Sequence, residues 1–309
     1  MKLFAALIAL ALNATPAHAQ SYQPPRTPDG RPDLQGVWIS RWLTPLERPA
    51  SAKALPIAPQ DIEALAKAEW ARHDAIDPIE GTDSFEFSTF VVIRGEMRSS
   101  VIVNPPDGRL PLVAGPGGRP GSRMHTGLDG PEARALNERC LSPGNGAAPH
   151  LTAPSGNIRR IVQTRDNVVI HTELLSHLRI IPVDGRTNFG ARHERESGHW
   201  EGDTLVVETT GFVDPMRGVR GSLVPVTPKT KIIEHFTRTA PDEILYVFTV
   251  EDPKIYTQIW TGETIMRRTG EPMFEFACHE GNYGLANILS GARAVEQRTA
   301  KASSKSKPK

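Results

Sequence analysis

Through its second half the chain alternates apolar and polar residues with a period of two, the pattern of strands that bury one face. "IRRIVQTRDNVVIHTELLSHLRIIPVDGR" reads as three strands, broken near Arg165-Asp166-Asn167 and at Asp184-Gly185. "GHWEGDTLVVETTGF" reads as a hairpin turning at Glu201-Gly202-Asp203, and "KIIEHFTRTAPDEILYVFTVEDP" as a second, turning at Ala240-Pro241-Asp242. "YTQIWTGETIMRRTG" adds a further long strand. Strands at this spacing predict an antiparallel meander that closes into a barrel or sandwich.

The first half is less regular. An extended, Pro- and Arg-rich arm leads into the short strand "LQGVWISRW". "APQDIEALAKAEWARH" places Ile62, Leu65, Ala66 and Trp70 at helical spacing, which predicts a surface helix at 59–73. "STFVVIRGEMRSSVIVNPPDGRLPLV" reads as strand, bend, strand and a turn at Pro106-Asp107-Gly108, and "GPEARALNERC" as a short helix with Pro131 in its first turn. At the far end Leu285, Ile288, Leu289 and Ala292 predict a terminal helix that packs on the sheet, followed by a disordered basic tail at 298–309. The fold class expected is mainly β, one domain over 20–297 with peripheral helices.

Both faces of the central strands are largely apolar. Leu205, Val207 and Thr209 oppose Thr204, Val206, Glu208 and Thr210; Ile244, Tyr246, Phe248 and Val250 oppose Leu245, Val247, Thr249 and Glu251. Such strands need a core on one side and a helix, loop or ligand on the other. Polar residues punctuate the runs, among them Gln163, His171, Glu173, His177, Arg179, Glu208, Glu234, His235, Glu251 and Glu263. They form either structural ion pairs and solvated edges or a constellation lining a pocket, with Arg179, Arg267 or Arg268 as partners for Glu208 and Glu251.

The start of the chain sets the compartment. "MKLFAALIALALNATPAHA" has Lys2, an apolar run over 3–12 and the small-x-small triplet Ala17-His18-Ala19, a secretory signal peptide cleaved after Ala19. No later segment has the roughly 18 apolar residues of a spanning helix. A periplasmic or secreted, soluble protein is expected. With 36 basic against 35 acidic residues the chain offers no footprint for nucleic acid. In an oxidising compartment its two cysteines, Cys140 and Cys278, read as one long-range disulfide, which would stabilise by about 4 kcal/mol in the chain-entropy estimate.

"EFACHEGNYG" carries the densest chemistry. His279-Glu280 lacks the second histidine of a metalloprotease helix, and His193-Glu194 fails the same test. The glycine-x-serine-x-glycine elbow of a serine esterase and a dinucleotide fingerprint are absent too. A metal would require His279 to meet His171, His177 or His235 in space, and none is assigned. What remains is acid–base chemistry by His279, Glu280, His177 and Glu208, or plain binding, with His279 alternatively satisfying backbone groups around the disulfide and Asn282 capping the helix.

Gly36-Val37-Trp38 and Gly198-His199-Trp200 resemble the glycine-x-tryptophan opening of lipocalin-type strands, which implies a lipocalin-like, or calycin-like, barrel. Over nearly the whole mature chain, "PDLQGVW", "IVQTRDNVVIHTE", "RIIPVDGR", "WEGDTLVVETTGF", "TVEDP" and "ACHEGNYGLANILSGAR" resemble a group of exported bacterial proteins of unknown function. That group usually has a glycine-aspartate-serine-arginine turn where this chain has "ERESGHW", and an aspartate where it has Leu178. No mechanism comes with the resemblance.

Two functions follow as expectations. One is an exported barrel binding a small hydrophobic or aromatic molecule, with Trp38, Trp200, Tyr246, Phe248 and Trp260 supplying area, and Arg179, Glu251, Asn282 and Tyr283 as further ligand contacts. The other is a lyase, isomerase or hydrolase on the same scaffold, without an organic cofactor. An envelope interaction protein is a third reading.

Overall fold

The computed structural model describes residues 22–76, 89–114, 127–134, 139–140, 148–152, 156–189, 194–212 and 224–305. The expected signal peptide and most of the glycine-rich segment before Pro131 lie outside these residues. The architecture is mainly β, an 11-stranded antiparallel sheet curled into a nearly closed barrel. Its strands are β1 (Gly36–Ile39), β4 (Ile102–Asn104), β5 (Ile158–Gln163), β6 (Asn167–Thr172), β7 (His177–Pro182), β8 (Asn188–Phe189), β9 (Arg195–Glu201), β10 (Thr204–Thr210), β11 (Lys231–Ala240), β12 (Glu243–Glu251) and β13 (Trp260–Arg268). They lie in the order β7-β6-β5-β1-β13-β12-β11-β10-β9-β8, with β4 beside β13, and β2 (Val92–Ile93) pairs separately with β3 (Glu96–Met97).

The predicted hairpins form where turn residues allow them. β9 and β10 pair from Thr204 opposite Glu201, with Gly202 in the left-handed region at φ 58°. β11 and β12 pair over nearly their full length. β7 and β9 bring the wall round on itself without ladder bonds among the described residues. They still touch: a methyl on Gly198 would sit 2.9 Å from Ile181 Cγ2 and 3.1 Å from Val183 Cγ1, so only glycine lets β9 lie against β7 here.

Alternation divides the wall cleanly. Inward residues such as Trp38, Ile161, Val168, Ile170, Leu205, Phe236, Phe248 and Trp260 form one core inside the barrel. Aromatic rings stack through it, with Phe248 against Tyr246 at 5.5 Å and edge-on to Trp260 at 5.6 Å between centroids. The Phe248 ring lies on the bare backbone of Gly262 in β13. The outer apolar face of β12 and β13 is covered by chain rather than left to water. Val91, Ile93 and Trp42 pack on Ile265 and Leu245. Beyond them α1 (Ile62–Ile76) contributes Leu65 to a small cluster with Leu43, Ile57 and Phe90.

α2 (Tyr283–Lys305) departs from expectation in two ways. It continues as helix through Arg298–Lys305, part of the segment expected as a disordered tail. It also leaves Ile288 and Val295 exposed, at 41% and 59%, instead of packing them on the sheet. Its polar contacts run elsewhere: Arg293 donates to the carbonyls of Leu128 and Asp129, and the Asn282 amide reaches Cys140 Sγ. The Cys140–Cys278 disulfide is present and ties this region to the chain 138 residues earlier. Such a bond fits a non-cytoplasmic location. No helix among the described residues is long and apolar enough to cross a membrane.

Replacing Gly262 by alanine should drive a methyl into the Phe248 ring and cost about 2–3 kcal/mol. Denaturant titration of Gly262→Ala, Phe248→Leu and the double variant checks this, with the double variant costing clearly less than the sum.

Candidate functional site

Eight wall strands turn a buried polar side chain inward. They are Arg159 (β5), Thr172 (β6), Arg179 (β7), Glu196 (β9), Thr209 (β10), Glu234 (β11), Tyr246 (β12) and Thr264 (β13), none more than 4% exposed. Register makes them neighbours: Arg159 lies opposite Thr172, Glu196 opposite Thr209, and Tyr246 opposite Thr264. Each shares its strand's inward phase with apolar core residues, as Glu234 does with Ile232 and Phe236.

Arg179 is the centre of this ring. Its Nε donates to Glu196 Oε1 at 2.6 Å. Its Nη1 contacts Glu234 Oε1 at 3.0 Å and His150 Nε2 at 2.9 Å. Its Nη2 donates to Glu234 Oε2 at 2.6 Å and Thr209 Oγ1 at 3.3 Å. A guanidinium has five N–H donors; four reach carboxylate or hydroxyl oxygens and the fifth points at His150 Nε2. Glu234 accepts three hydrogen bonds in all, since Oε1 also takes the Tyr246 hydroxyl at 2.7 Å. The Tyr246 oxygen in turn accepts the His150 backbone N–H at 2.9 Å.

His150 arrives on a short plug, 148–152, whose Ala148 and Leu151 belong to the barrel core. Its two ring nitrogens face two arginines, Nε2 at Arg179 and Nδ1 3.3 Å from Arg159 Nε. A neutral imidazole has one bare nitrogen, so it can accept from only one of the two arginines at a time. The other nitrogens of Arg159 donate to the carbonyls of Asn157 and Leu151. Two arginines, Arg159 and Arg179, thus face the carboxylates of Glu196 and Glu234, with buried Glu194 close enough for its charge to act on Glu196.

Burial shifts the titration of Arg159, Arg179, Glu196 and Tyr246. It pulls the Arg159 guanidinium down to about 10, with the neighbouring Arg179 adding to the fall while Tyr246 and Glu234 oppose it. Burial also lowers Arg179, but Glu196 and Glu234 more than offset it and hold that group above the usual arginine range. Burial raises Glu196 above the usual carboxylate range, against the pull of Arg179. Burial and then the Glu234 charge raise the Tyr246 phenol well above 10.

Among the inward-facing side chains, Thr172 Oγ1, Glu196 Oε2, Trp200 Nε1, Trp260 Nε1 and Arg238 Nε are buried and take part in no hydrogen bond among the described residues. Buried polar atoms are almost always satisfied, so such a group calls for an explanation.

Of the residues singled out from sequence, the structure brings Trp38, Arg179, Trp200, Tyr246, Phe248 and Trp260 to the barrel interior. Trp38 donates to the Leu34 carbonyl at 2.9 Å and lies under the Arg268 guanidinium at 4.8 Å. The others stand apart from that interior. His279, Glu280 and Tyr283 are exposed beside the disulfide, and Asn282 caps α2 by accepting the Leu285 N–H at 3.3 Å. Glu208 faces outward and pairs with Lys231 at 2.6 Å, and Glu251 is exposed at the end of β12. The partners expected for these two carboxylates are engaged elsewhere, Arg267 with Asp242 and Glu243, and Arg268 with the Gln35 carbonyl. His177 opens β7, half-buried.

His150, Arg159 and Glu196 were not singled out from sequence, and Glu234 stood there only among the polar residues that punctuate the strands. Strand phase marks three of them: Glu196 falls in step with Trp200, Arg159 with Ile161, and Glu234 with Phe236. His150 leaves no such mark, because it sits on an irregular segment. Among the described residues no three His, Cys, Asp or Glu side chains converge as a metal site.

No family model matches the chain, and no curated protein matches it. Among the 11 solved chains that do match is the crystal structure of a mutant of the fluorescent protein UnaG. It is 13% identical, covers 41% of this chain and 89% of its own, and has a TM-score of 0.25, a likeness too slight to bear on fold or ligand.

Replacing Arg179 by methionine should leave Glu196 and Glu234 buried without the cation that hydrogen-bonds them and cost about 3–5 kcal/mol, whereas replacing all three by apolar residues should recover much of that loss. Denaturant midpoints of Arg179→Met and of the triple variant decide it. The raised Tyr246 phenol contributes stability that is complete below pH 10 and is lost as pH climbs through its folded-state value. Stability measured from pH 9 upward should therefore fall less steeply in Tyr246→Phe than in the parent.

Proposed function

We propose that this chain is an exported barrel that binds a small molecule, an apolar or aromatic body with a polar group, against the ringed end of its interior. The observation that carries this reading is the set of buried inward polar atoms with no partner among the described residues, Thr172 Oγ1, Glu196 Oε2, Trp200 Nε1 and Trp260 Nε1 among them. A barrel selected for stability alone would fill these positions with apolar side chains, because ionic groups held in the interior rarely improve on them. Ligand sites have the opposite make-up, a mostly apolar lining with a few polar groups left for the guest. Aromatic walls built from Phe248, Tyr246, Trp200 and Trp260 supply the contact area.

In this reading Arg179 is a positioning residue: its donors are turned to Glu196, Glu234, Thr209 and His150, and it fixes the Glu196 carboxylate rather than touching the guest. His279 and Glu280 have no place in the site, since both are solvated and stand outside the barrel interior. Catalysis by them, or by His177 with Glu208, is the weaker reading, as Glu208 points out of the barrel.

Thermal unfolding of the purified protein with a panel of small aromatic and aliphatic compounds tests the proposal, alongside native mass spectrometry. Binding at a hundred times its dissociation constant should stabilise by about 2.7 kcal/mol, a shift of several degrees. Binding should also change the tryptophan emission, and Trp200→Phe should weaken affinity without lowering the unfolding midpoint by more than a few degrees. A panel in which no compound raises the midpoint or survives in the native mass spectrum would count against a binding role.

A further inference from the structure

The barrel core does not hold α2. The helix runs for 23 residues, about 35 Å, yet among the described residues none of its side chains joins an apolar core cluster or packs against one. A helix draws most of its stability from packing, and the interior glycines at 284 and 291 weaken this one further. It is a helix that needs a covering surface.

The face that is left bare has a definite make-up. Ile288 and Val295 stand seven residues apart, on one line along the helix, and both are exposed. Gly284 and Gly291 neighbour that line at helical spacing, and a methyl on either would meet no atom within 4 Å. Arg298 follows Val295 by three residues and Lys301 follows Arg298 by three, so two exposed cations border the line on one side. Arg293 turns back to the chain instead, onto the carbonyls of Leu128 and Asp129.

Charge selects the occupant of this face. From Tyr283 to the C-terminus the chain has six basic residues, Arg293, Arg298, Lys301, Lys305, Lys307 and Lys309, against one acidic residue, Glu296. The rest of the sequence has 30 basic against 34 acidic residues. Positive charge is thus gathered on the helix whose apolar line is bare. The α2 of a second copy would meet it with the same sign, and like charges repel. An apolar line bordered by cations suits a helix lying in the plane of an anionic bilayer, with apolar side chains in the headgroup boundary and cations at the lipid phosphates.

We propose that α2 is a peripheral membrane anchor, which docks the barrel on the surface of an anionic phospholipid bilayer with Ile288 and Val295 turned into the lipid.

Co-sedimentation of the purified full-length protein with vesicles tests the anchor, using phosphatidylcholine alone and an equal mixture of phosphatidylcholine and phosphatidylglycerol. The protein should bind the anionic vesicles in clear preference, and less tightly as salt shortens the screening length. Arg298→Gln and Lys301→Gln should each weaken partitioning about fivefold, the worth of one basic residue near a charged bilayer. Ile288→Asn with Val295→Asn should weaken it at least as much, whereas Ile259→Asn, at an exposed apolar residue beside β13, should leave it unchanged. Equal binding to both kinds of vesicle overturns the anchor. So does binding that the paired apolar variant leaves intact, because that marks an electrostatic attraction without insertion. Absence of vesicle binding overturns it as well; a dimer in sedimentation velocity that the same paired variant dissociates would then give the face to a second copy of the chain.

Discussion

The structure depends on one side chain, the Arg179 guanidinium, and on where it stands. β7 and β9 meet at the seam of the barrel, where ladder hydrogen bonds give way to side-chain contact. Arg179 on β7 crosses that seam to Glu196 on β9 and goes on to Thr209 on β10 and Glu234 on β11. Within the low dielectric of a filled interior such bonds are stronger than in water, and leaving one partner alone is correspondingly costly. A curled sheet with an open edge is thus held as a nearly closed barrel by charge and by the fit of Gly198 against Ile181 and Val183.

That closure sets the character of the interior. A barrel wall must place something inward at every second residue, and here aromatic and aliphatic groups share these places with a ring of polar ones. The plug at 148–152 completes the ring by presenting His150 to both arginines and its backbone N–H to Tyr246. The second oxygen of Glu196 is one of several inward polar atoms that have no hydrogen-bond partner among the described residues.

The cysteine-histidine-glutamate stretch lies away from this centre for the same physical reason. Cys278 is held in the disulfide, and His279 and Glu280 beside it are solvated at the start of α2, outside the core. A dense run of reactive residue types in the sequence marks a place where side chains tolerate water as readily as a place where they do chemistry. Burial separates the two, and burial here belongs to Arg179, Glu196 and Glu234.

Local pattern determined much of this by itself. Period-two alternation with glycine- and aspartate-bearing turns is enough to produce the hairpins at Gly202 and Pro241, because strand phase and turn geometry are short-range properties. Two cysteines behind an expected export signal are enough to expect their bridge. Phase alone would also place Glu234 and Arg159 inside, since each alternates with core residues. The pairing of charges was decided only by the tertiary structure: Glu196 lies 17 residues from Arg179 and Glu234 lies 55, and they meet because the wall curls until β7 faces β9. Which way each carboxylate faces, out to Lys231 for Glu208 or in to Arg179 for Glu196, likewise follows from closure, and so does the arrival of His150 from an irregular segment. Contacts of that kind depend on the summed curvature of many strands, which no window of sequence contains.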